Sequence, residues 1–175
     1  MQALINGVRR ILGFAAGLSM ALVFSIIFIN SLRRYMVGQS VPWGEELPIY
    51  LTIYGVMFGL ALGYLGDNHI RFTILIDMIS KKTREWLFLA VDVITFASGL
   101  GLAYAGHAFA MRRGSVDASG LKSTGRWLAE TTGIDALVWI GKVGTWQYAI
   151  AIGGVLLAIA AVLKFIERLG TLRRL

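Results

Sequence analysis

Residues 9–34 read RRILGFAAGLSMALVFSIIFINSLRR, and between the two arginine pairs Ile11 to Leu32 carry no charge. A helix over that stretch rises about 33 Å, close to the thickness of a hydrocarbon core. Backbone amides in lipid must bond within their own segment, so the stretch is read as a transmembrane helix. The arginines hold its two ends at the headgroup layers. Val8-Arg9-Arg10-Ile11-Leu12 has the outline of a twin-arginine leader. The apolar block is longer than a leader's core, however, and Arg33-Arg34-Tyr35 stands where small cleavage-site residues belong. The block is therefore expected to remain as a span, roughly 11–32.

Three more blocks pass the same test: Leu47 to Leu65, Trp86 to Ala110 and Trp146 to Ile166. The third block contains Asp92 and His107, and the last contains Lys164 near its end. The 175-residue chain is 57% hydrophobic and only 15% charged, and its mean hydropathy is +0.69. A soluble domain carries about a quarter charged residues, so this is no soluble enzyme, and disorder is excluded by the same apolar excess. With no cysteine, a disulfide framework and thiolate metal sites are excluded too. The expected fold is an all-α integral membrane protein in one domain, 1–175, with four transmembrane helices and short amphipathic interfacial helices.

The net charge of +7 suits a membrane surface better than nucleic acid, for which no partner is expected. With the N-terminus inside, ten Lys and Arg fall on the inner segments and seven on the outer ones. That bias places both termini in the cytoplasm. The 67–85 segment reads as an amphipathic helix on the cytoplasmic leaflet. Phe72, Leu75, Ile76 and Ile79 share a face, and Lys81, Lys82 and Arg84 turn towards phospholipid headgroups. The long outer connection, 111–145, is expected to hold one or two short helices. In it Thr132-Gly133-Ile134-Asp135 fits a capping box ahead of Ala136 to Ile140. Pro42, Glu45 and Glu46 suit the start of the second span.

Glycines at four-residue spacing allow close helix approach. Gly55, Gly59 and Gly63 predict one groove on the second span that meets a partner, internal or foreign. Gly13 with Gly17, and Ala97, Gly101 and Ala105, repeat the spacing elsewhere.

An ionisable group inside a membrane is a functional candidate by default. Asp92 and His107 lie about 22 Å apart along one helix and cannot form one site. For Asp92 a structural polar contact is favoured over a proton or sodium site. His107 reads as a headgroup-level histidine. The other spans hold no carboxylate, no ligand set for haem or metal is present, and no unwound half-helix is visible. The chain reads as a non-enzymatic subunit without a cofactor.

Arg34-Tyr35, Trp43-Gly44-Glu45-Glu46-Leu47, Phe58-Gly59 and His69-Ile70 occur in an order that resembles the DctQ-like small membrane subunit of tripartite ATP-independent periplasmic (TRAP) transporters. The resemblance covers roughly residues 10 to 110 and, more loosely, the fourth span. The chain departs from that pattern in its long, proline-free 111–145 link. The resemblance implies a scaffold role in the bacterial inner membrane. Its partners would be a large, sodium-driven elevator-type subunit and a periplasmic binding protein that delivers an organic anion. Sodium coupling would reside in the large subunit. It implies that Arg34, Tyr35, Trp43, Glu45 and Glu46 fix the subunit to its partner on the outer side, with His69 and Asp92 on the inner side. An independent carrier or channel using Asp92, or an anchor in an unrelated complex, are the alternatives.

Overall fold

The computed structural model describes residues 2–66 and 79–172. Four helices are long and apolar enough to cross a membrane: α1 (Gln2–Val37), α2 (Trp43–Leu65), α3 (Lys81–Arg112) and α5 (Val143–Leu172). Between α3 and α5 lie the short helix α4 (Lys122–Thr132) and a 3-10 helix, η1 (Asp135–Gly141). No sheet forms among the described residues; a single bridge pairs Asp117 with Lys142. The helices overrun the expected spans because a helix need not stop where the hydrocarbon stops. Arg9, Arg10, Arg33 and Arg34 all lie inside α1.

α1 ends at Gly38, whose φ of +73° and amide bond to the Arg34 carbonyl close the last turn in the left-handed conformation that glycine tolerates. The link then turns back under Asn30, whose Oδ1 accepts the Val41 amide at 2.7 Å. Gly44 fits beneath the same side chain; a methyl group there would lie 2.9 Å from Asn30 Cγ.

The extensive helix contacts run α1 to α2, α2 to α5, and α5 to α3. α5 is the hub, since its small residues let α3 approach backbone to backbone. A methyl on Gly99 would lie 2.7 Å from the Ala158 nitrogen, and one on Gly106 would lie 2.5 Å from the Ala151 nitrogen. Gly153 makes room for the Met57 side chain of α2. Near the chain termini, Ile5, Leu12, Ala61, Leu65, Leu157 and Ala161 form the main buried cluster. We call this the terminal end, and the opposite end, with the α1–α2 link and the 113–142 connection, the link end.

Two expectations need correction here. Lys81, Lys82 and Arg84 open α3 rather than a separate surface helix, because Ser80 caps that helix by accepting the Thr83 amide at 3.2 Å. Thr132 ends α4 instead of capping the next helix: its hydroxyl donates to the Leu128 carbonyl, and Gly133 takes φ +70°. Of the glycine series on α2, only Gly55 packs within the chain, against Ser19 and Met20; a Cβ on Gly59 or Gly63 would meet nothing within 4 Å. The expected amphipathic stretch over 67–78, which includes His69, and the side chain of Lys81 lie outside the described residues.

Candidate functional site

The start of α2 separates the five residues expected to act together. Positions 43, 46, 47 and 50 fall on one helical face, spaced i, i+3, i+4 and i+7. That face turns towards the 113–142 connection, where Trp43, Leu47 and Tyr50 pack with Ala118, Leu121, Ile140, Val143 and Trp146. Tyr50 stacks on Trp146 with ring centroids 5.6 Å apart. Glu46 sits at the centre of this face: Oε2 accepts the Gly120 amide and Oε1 accepts the Tyr50 hydroxyl, both at 2.8 Å. Gly120 is seated so closely that a Cβ would overlap the Pro42 carbonyl. Trp43 and Glu46 therefore brace this chain's own connection.

Arg34, Tyr35 and Glu45 point elsewhere. All three are exposed, Tyr35 at 91%. They line an open cleft of about 950 Å³ between α1 and α2, whose deeper walls include Ile27, Ile49 and Thr52. Among the described residues neither Arg34 nor Glu45 enters an ion pair, with each other or with any other group.

The connection is clasped by Asp117, which meets Lys122 at 2.5 Å and Lys142 at 2.6 Å. The two lysines donate to its carboxylate and hold its pKa down to about 2, from an ordinary 3.8. A lowered folded pKa stabilises above the unfolded value and is lost as pH falls through the folded one. The 115–142 region should therefore resist pepsin at pH 4 and be cut increasingly as pH falls towards 2. Asp117→Asn should be cut at both.

At the terminal end Asp92 is 1% exposed. Arg168 of α5 reaches its Oδ1 at 2.6 Å, and the Tyr64 hydroxyl of α2 donates to the same oxygen. The Arg168 guanidinium also lies 4.8 Å from the centre of the Phe88 ring. Beside them Lys164 pairs with Glu167 at 2.8 Å, and Glu167 accepts the Gln2 amide at the same distance. Asp92 thus ties three helices together. Neither Arg168 nor Tyr64 is singled out by the sequence. His107 is exposed and lies against the Tyr148 ring. No group of three or more His, Cys, Asp or Glu able to hold a metal occurs among the described residues.

Four long apolar helices, their buried acid Asp92 held by an arginine and a tyrosine of two others, define a multi-pass α-helical membrane protein. A family model, "Tripartite ATP-independent periplasmic transporters, DctQ component", matches residues 23–171, and the chain belongs to that family. It is similar, at 21% identity over 95 residues, to a protein of Haemophilus influenzae described as a TRAP transporter small permease. That alignment covers 54% of this chain and spans 58% of the relative's length. It is also 21% identical over 128 residues to the sialic acid TRAP transporter small permease protein SiaQ of Vibrio cholerae, covering 73% of this chain and 72% of the relative.

Proposed function

We propose that this chain is the small scaffold subunit of a sodium-driven secondary transporter, holding a large elevator-type subunit in the membrane and helping to dock a periplasmic binding protein. The solute would be an organic anion, a carboxylate or sulfonate. Both termini would lie in the cytoplasm and the link end would face the periplasm of a bacterial inner membrane. Membership of the DctQ family supports the assignment.

The observation that carries the scaffold reading is the outward face of α2. Ile49, Thr52, Val56 and Leu60 are exposed on it, and Gly59 and Gly63 leave a groove on the same face that none of the described residues fills. A groove of this kind lets a second helix backbone approach closely. The carrier alternative is weakened at its key residue, because Asp92 is engaged by an arginine and a tyrosine rather than facing a solute path.

Gly59→Leu with Gly63→Leu tests the reading. The variant chain should fold alone in detergent as the parent does, since both positions are open. The large subunit should no longer copurify, and uptake should fall with it. An intact complex with full uptake would overturn the proposal.

A further inference from the structure

The cleft between α1 and α2 at the link end has a use that the scaffold role does not require. From the geometry we infer that it is a binding site for a zwitterionic phospholipid, with Arg34 receiving the phosphate and Glu45 the ammonium group. This inference does not rest on the scaffold reading.

The argument starts from depth. Arg34 lies two residues beyond the uncharged block that ends at Leu32, so the rim of the cleft is at headgroup level. Ile27 on α1 and Thr52 on α2 are each seven residues deeper than the charge on their own helix, about 10 Å along the axis. The cleft therefore descends from a charged rim to uncharged deeper walls that include Ile27, Pro48, Ile49 and Thr52, matching the passage from headgroup to acyl chain. Its rim carries both signs of charge, exposed and not paired with each other. A wholly anionic headgroup would satisfy Arg34 and be repelled by Glu45, while one bearing a phosphate and an ammonium satisfies both. Tyr35 at the rim is an aromatic of the kind that settles at this depth. The Ser31 hydroxyl is within the lining, where it can donate to an ester carbonyl. In a bilayer only lipid or another protein can fill such a cleft. Mixed charge at the rim above uncharged deeper walls favours lipid.

The full chain, purified in detergent and offered equal amounts of phosphatidylethanolamine and phosphatidylglycerol, should be read by native mass spectrometry. Retention of phosphatidylethanolamine should exceed that of phosphatidylglycerol by about twofold to fivefold, the effect available from the one exposed ion pair, ammonium to Glu45, that only the first lipid can make. Glu45→Lys should reverse the preference. Arg34→Gln should lower retention of both lipids, and Arg126→Gln, a change at an exposed cation of α4, should alter neither. Equal retention of the two lipids, or a preference that survives Glu45→Lys, would overturn the inference. So would Glu45→Lys releasing the large subunit while leaving the lipid preference intact, which would assign the cleft to a protein partner.

Discussion

Arg168→Leu should destabilise the isolated chain by about 3–5 kcal/mol, the usual consequence of leaving one member of a buried ion pair behind. Asp92 is almost fully enclosed and its pair with Arg168 is 12% exposed on the arginine side, so solvent offers little relief. The prediction has a second half. Asp92→Leu combined with Arg168→Leu should recover most of the loss, because two apolar side chains need no counter-charge. Thermal unfolding of the three variants in detergent, followed by monomer retention on size exclusion, checks both halves. A double variant as unstable as Arg168→Leu would mean that the pair does more than cancel charge. Tyr64 would then be the next position to examine, since its hydroxyl shares the same oxygen.

Gly106→Val should be comparably damaging, and Gly101→Val on the same helix should not. At Gly106 the first added carbon already falls 2.5 Å from the Ala151 nitrogen, a backbone atom that cannot swing aside; at Gly101 it meets nothing within 4 Å. Overpacking of this kind costs about 1–3 kcal/mol where neighbours can yield, and more where they cannot. Because α3 and α5 share the most extensive contact in the protein, separating them should lower the unfolding temperature of the whole chain. Equal behaviour of the two valine variants would refute the seam.

These two helices also show where sequence reading succeeds and where it stops. Uninterrupted apolar blocks between charged residues reveal the four long helices, because hydrocarbon thickness imposes a length that soluble folds do not. The same blocks do not reveal which face packs. On α3 the series Ala97, Gly101, Ala105 and the series Gly99, Ala103, Gly106 are almost equally spaced. Only the second meets α5, and nothing local to α3 says so. The pair between Asp92 and Arg168 joins residues 76 apart, and the bond from Gly120 to Glu46 joins residues 74 apart. Periodicity does not see such distances. One miss was legible. Trp43, Leu47 and Tyr50 flank Glu46 at helical spacing, with Glu45 turned about 100° away, so the two glutamates could have been assigned to different surroundings from the start.

Among the described residues the extensive helix contacts run α1 to α2 to α5 to α3. Joined in that order, the helices make a wall. What such a wall adds to an assembly is breadth. Joined edge-on to a larger body, it lengthens the perimeter gripped by lipid and so raises the resistance to tilting under load. Under the proposed scaffold role, a machine that slides one part past another needs a mount that does not rock, and these helices would serve as its keel.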